Sequence, residues 1–62
     1  MNPVVFEFAF DSDTAMRSLK ALSNNHAVQI GGKLYWPISA EYDKRSDIIV
    51  FRMNIDHTQM LQ

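Results

Sequence analysis

The sequence predicts an α+β domain of order β-α-β-β-β, with one helix packed on a mainly antiparallel four-stranded sheet. Three observations predict it. Residues 4–10 alternate in a strand's period of two. Residues 13–24 repeat apolar positions at helical spacing behind a run of cap-forming side chains. Residues 27–38 hold two short apolar runs about a Gly-Gly pair, and a further period-two run, Ile48 to Ile55, supplies the last strand.

In the first strand Val4, Phe6, Phe8 and Phe10 share one face, and Val5, Glu7, Ala9 and Asp11 the other. Three phenylalanines on one face make it the strongest strand of the chain, so it is expected at the centre of the sheet. Asp11-Ser12-Asp13-Thr14 is a run of N-cap residue types. In the helix that follows, Ala15, Leu19 and Leu22 form the expected apolar stripe with Met16 at its edge, and Asp13, Arg17, Lys20 and Asn24 lie opposite. Acidic residues open this helix and basic ones come later, which suits its dipole. Asn24-Asn25 is the expected stop, because Asn tolerates the left-handed conformation found just past a helix end.

Ala27–Ile30 and Lys33–Ile38 flank Gly31-Gly32 and predict a hairpin. A two-residue turn would pair Ile30 with Lys33 and Val28 with Tyr35, leaving apolar groups on both faces. A three-residue loop with a glycine bulge would place Val28 beside Leu34 and Trp36 on one face, and it is the expected register. Pro37 confines its strand to an edge, or to a ladder that ends there. Ser39–Asp47 holds five charged residues in nine and is expected to be a solvated loop, with Tyr42 its one aromatic. In the last strand Ile49, Phe51, Met53 and Ile55 share a face, and Ile48, Val50, Arg52 and Asn54 the other. Residues 56–62 lack periodicity and are expected to fray or add a helical turn.

The 62 residues make one domain, 1–62. A chain of this size buries only about 60% of the surface its unfolded form exposes. Small folds compensate with disulfides, a metal or a partner. There is no cysteine and only two histidines, His26 and His57, so no structural metal or cofactor is expected. Tight packing or burial against a second chain remains. A hydrophobic content of 47% speaks against a disordered chain. The net charge of −1 speaks against a dedicated nucleic-acid binder, whose affinity comes from neutralising phosphates. Met1-Asn2-Pro3 shows neither the basic segment nor the cleavage site of a secretory leader, and no apolar run is long enough to span a membrane. A cytoplasmic location is expected.

No residue pattern points to catalysis. His26 follows a helix end and His57 stands in a polar tail, each without a converging third group. Asp11 and Asp13 read as helix caps, and Glu41, Asp43 and Asp47 as loop solvation. Gly31-Gly32 neither opens a helix nor precedes Lys-Ser or Lys-Thr, so it is a turn and not a phosphate loop. The informative segment is Tyr35-Trp36-Pro37. Adjacent strand residues face opposite ways, so Tyr35 and Trp36 cannot both be core. On packing grounds Trp36 fills the core beneath the helix and Tyr35 lies on the outer face. Whichever is bare becomes a candidate interface anchor. Candidate partner-binding residues are Tyr35, Trp36, Arg52 and Tyr42, with Arg17 and Lys20 on the polar side of the helix.

These features predict a non-catalytic protein-interaction module (a regulator, inhibitor or assembly subunit) that docks on a larger protein or forms a homodimer. Compact single-domain proteins of phages and mobile elements offer the analogy in size and composition. Nucleic-acid binding through the open sheet face, or through the basic side of the helix, is the alternative.

Overall fold

The computed structural model describes residues 3–57. Its elements are β1 (Val4–Ala9), α1 (Asp13–Asn24), β2 (Val28–Ile30), β3 (Lys33–Asp43) and β4 (Ile48–Ile55). The strands form one antiparallel sheet in the order β1-β4-β3-β2, with α1 packed on one face. This is the α+β architecture expected, and α1 and β4 have the expected bounds. The tail lies outside the described residues from position 58 onward.

β1 is an edge strand, not the central one. β4 takes the centre, and its Phe51 and Met53 are wholly buried. Short turns fix β2, β3 and β4 as neighbours in order, and β1 adds beside β4. β1 also ends at Ala9, so Phe10 falls in the turn, half exposed. β2 likewise begins at Val28, after Ala27.

The hairpin takes the two-residue turn instead of the bulged loop. Ile30 pairs with Lys33 and Val28 with Tyr35. Gly31 (φ 60°) and Gly32 (φ 84°) both occupy the left-handed region, which a tight hairpin turn requires and two consecutive glycines supply at little steric cost. Apolar groups therefore occupy both faces: Val28 and Tyr35 face the helix, and the register turns Leu34 and Trp36 the other way.

β3 is longer than expected. The segment 39–43 is a strand and not a loop, because Ala40 and Tyr42 alternate with Glu41 and Asp43 and pair with Phe51 and Ile49. Its charge content conceals the period of two. A bulge at Ile38 lets both Pro37 and Ala40 stand opposite helix-side residues, Met53 and Phe51. The turn that follows is closed by an Asp47 N–H donating to the Asp43 carbonyl (2.9 Å), with Asp47 at φ 57°. The Asp43 carboxylate accepts from the Arg45 N–H (3.0 Å). The ladder between β2 and β3 ends at Tyr35, two residues before Pro37, as a proline in this strand demands.

Ser12 caps α1. Its hydroxyl accepts from the Ala15 N–H (3.1 Å) and donates to the Ala9 carbonyl (2.8 Å). Asn25 closes the helix in the left-handed conformation, φ 58° and ψ 53°. Ser12→Ala is expected to lower stability by about 1 kcal/mol, read from the urea midpoint at unchanged m-value.

The buried stripe of α1 is Ala15, Ser18 and Ala21; Leu19 and Met16 stand outside it and Leu22 is half buried. The floor beneath is aromatic, with Phe6, Phe8, Tyr35 and Phe51 contributing. Small residues let the helix settle onto such a floor, whereas leucine at the contact would hold it off. Ser18 is fully buried and its hydroxyl has no hydrogen-bond partner among the described residues. Ser18→Ala removes that unsatisfied group without opening a cavity of consequence. A gain of about 1 kcal/mol is expected in the same urea assay.

Candidate functional site

The pleat assigns each strand residue to a face. Phe6, Phe51 and Ala40 stand in one row on the helix side. The adjacent rows on the other face hold Val5, Arg52 and Ser39, then Glu7, Val50 and Glu41. Trp36 lies on that second face opposite Asn54, with Leu34 two residues before it on the same strand. Among the described residues no helix or second sheet covers this face.

Its apolar groups are substantially bare: Trp36 is 41% exposed, Val5 53% and Leu34 38%. Ile38, the extra residue of the bulge, is 50% exposed. Arg52 sits between Val5 and Ser39 and is exposed. It makes no hydrogen bond or ion pair among the described residues. By register the same face carries the carboxylates of Glu7, Glu41 and Asp43. The arrangement is an apolar anchor beside one unpaired cation, with carboxylates towards the opposite end.

The six candidate residues divide among several surfaces. Trp36 and Arg52 share the open face. Tyr35 points to the helix side and meets Phe6 edge-to-face, with centroids 4.9 Å apart. The expected assignment of Trp36 to the core and Tyr35 to the outside is therefore reversed. The two-residue turn is the cause, since it fixes Tyr35 opposite Val28.

Tyr42 stands at the far end of the helix-side face, its ring 5.1 Å from that of Phe10. Its hydroxyl donates to an Asp47 carboxylate oxygen at 2.7 Å. That hydrogen bond, followed by desolvation and the charges of Asp47 and Asp43, holds the phenol above its ordinary value of 10.0. A raised value means the folded chain retains the proton longer than the unfolded chain. The associated stability is complete below pH 10.0 and is lost as pH rises through the raised value. Spectrophotometric titration is expected to show Tyr42 ionising above its ordinary value, and Asp47→Asn to shift it downward.

Arg17 is committed within the fold. Its Nε donates to Asp13 (3.0 Å) and its Nη1 to the Gln29 carbonyl (3.2 Å). Lys20 lies on the outer side of α1, beside a 150 Å³ depression that it lines with Asp13, Met16 and Arg17. A larger depression of 410 Å³ at the β3–β4 turn is lined by Glu41, Tyr42, Asp43, Lys44 and Val50. His26 is exposed, its Nδ1 3.0 Å from the Ala27 carbonyl, and His57 is exposed. Three carboxylates already have structural work: Asp13 with Arg17, Asp43 in its turn, and Asp47 with Tyr42.

Leu34 and Ile38 belong to the open surface and were not among the candidates. Alternation groups Leu34 with Trp36 in either register; the tight turn decides that theirs is the open face.

No family model, curated protein or solved structure matches this chain. No helix among the described residues is long and apolar enough to cross a membrane.

Proposed function

We propose that the protein is a non-catalytic interaction module that docks on a larger protein through the open face of its sheet, as a regulator, inhibitor or assembly subunit. The observation that carries this reading is Trp36, 41% exposed on the same face as Leu34 and Arg52, a face that no second layer among the described residues covers. Tryptophan and arginine at the centre of an apolar patch are the residue types that dominate binding energy at protein interfaces. The fitting partner surface is apolar at its centre. It offers a carboxylate to Arg52 and basic groups to Glu7 and Glu41. The same carboxylates oppose nucleic acid, because three acidic groups outnumber the single cation on this face. A cytoplasmic setting accords with the cysteine-free sequence.

Affinity purification from the native host tests this, with Trp36→Ala and Arg52→Ala as open-face variants and Lys20→Ala as the helix control. One protein is expected to be retained by the wild type and by Lys20→Ala, and lost by both open-face variants. Equal retention by all four proteins contradicts the reading. A mobility shift with single-stranded nucleic acid at low salt is expected to show no complex, and a complex that weakens steeply with salt would favour the nucleic-acid alternative.

A further inference from the structure

The strand richest in phenylalanine lies at the edge of the sheet, and its outer backbone groups follow from one hydrogen bond. The Phe10 N–H donates to the Asp47 carbonyl at 3.0 Å, on the β4 side. By alternation the peptide groups of Phe8, Phe6 and Val4 also face β4, and those of Val5, Glu7 and Ala9 face outward. No described strand pairs with that flank.

The other open flanks carry protection. Ile30 and Lys33 form the hydrogen-bonded pair next to the tight turn, so Gln29 points its backbone outward, and Arg17 occupies the Gln29 carbonyl. Beyond Tyr35 the outer flank of β3 meets Pro37, whose ring nitrogen has no hydrogen to offer, and then the bulge at Ile38. β1 has no proline, bulge or capping side chain between Val4 and Ala9; Glu7 is its one charge. An edge of this kind templates pairing with another strand.

We propose that two copies of the chain pair antiparallel through β1, about a two-fold axis at Phe6, joining their sheets into one. The register follows from which groups are free. Val5 stands opposite the partner's Glu7, and each exchanges both backbone hydrogen bonds with the other. Ala9 then stands opposite the partner's Pro3. The Ala9 carbonyl is already taken by the N–H and hydroxyl of Ser12 (3.0 and 2.8 Å), and Pro3 has no N–H to give it. The remaining pair, the Ala9 N–H and the carbonyl of the partner's Pro3, complete each other.

Sliding by one pair in one direction sets Glu7 against the partner's Glu7, which like charges oppose. Sliding the other way sets Glu7 against the partner's Pro3 and leaves the Glu7 carbonyl without a donor. In the favoured register Phe6 meets the partner's Phe6 on the helix side. On the open face only the partner's Val5 stands between Glu7 and the partner's Arg52, a cation with no partner among the described residues. The interface is an edge, so it leaves Trp36 and Leu34 on β3 free, while Glu7 and Arg52 border both surfaces.

Sedimentation velocity up to about 100 µM tests it. The wild type is expected to approach twice its 7.2 kDa mass as concentration rises. Glu7→Pro removes the outward N–H together with the carboxylate and stiffens the backbone at that position, and it is expected to stay monomeric, its fold checked by circular dichroism. Since the chain has no cysteine, single substitutions read the register. A short bis-maleimide reagent, which adds one cysteine thiol at each end, is expected to join Val5→Cys chains to Glu7→Cys chains in preference to joining either to itself. A wild type that stays at monomer mass, a folded Glu7→Pro that still doubles, or self-joined products that dominate would each overturn the proposal. Should Glu7→Pro not fold, the cross-linking result decides.

Discussion

Phe51→Ala is expected to leave most of the chain unfolded at 25 °C. Phe51 is wholly buried in the central strand, with Phe6 opposite it on one side and Ala40 on the other. Its ring also meets that of Phe8 at 5.9 Å. Truncating a buried phenylalanine to alanine costs about 3–5 kcal/mol, through lost transfer energy and the cavity left behind. At roughly 0.05–0.15 kcal/mol per residue, a chain of 62 residues has about 3–9 kcal/mol in all. The six apolar residues buried in the described region include two alanines, which argues for the lower part of that range. Loss of the cooperative urea transition, or a midpoint lowered by more than half, is the expected reading. A shift of only a few tenths of a kcal/mol would mean that Phe51 is not the centre of the core.

Trp36→Ala is expected to separate binding from stability. Affinity for the docking partner should fall by about 30-fold or more, corresponding to about 2 kcal/mol at an aromatic anchor. The stability change should be far smaller than for Phe51→Ala, because Trp36 is 41% exposed and Phe51 is not exposed at all. Titration calorimetry and urea unfolding on the same preparation give the two numbers. Tyr35→Ala is the informative contrast. Tyr35 packs against Phe6 on the helix side, so its loss is expected to lower stability more than it lowers affinity.

The fold was legible where local chemistry is unambiguous. The helix start within Asp11–Thr14, the stop at Asn25 and the alternation from Ile48 to Ile55 are as read, although the cap is Ser12 and not Asp11 or Asp13, with Asp13 pairing to Arg17 in the first turn. It was not legible where two local rules compete. Gly31-Gly32 serves either a tight turn or a bulged loop, and preferring one apolar face selected the wrong register for Tyr35 and Trp36. Residues 39–43 look like a loop to a count of charges and like a strand to a period of two; pairing with β4 decided for the strand. Leucine outranks serine and alanine as a core residue in isolation. Only the aromatic floor shows why Ala15, Ser18 and Ala21 are the contact and Leu19 is not. Of the candidate site, the mixed second face with Val5 and Arg52 could be read from alternation alone. The placement of Trp36 on it could not, because that depends on the turn.

Tryptophan fluorescence tests the central claim directly, because Trp36 is the sole tryptophan. The open face predicts a red-shifted emission maximum in the folded protein and efficient quenching by acrylamide. Both should stay unchanged as concentration rises and chains pair through β1, since Trp36 lies on β3, away from that edge. A blue-shifted, poorly quenched emission in the folded protein would contradict the account, by showing that this face of the sheet is already covered.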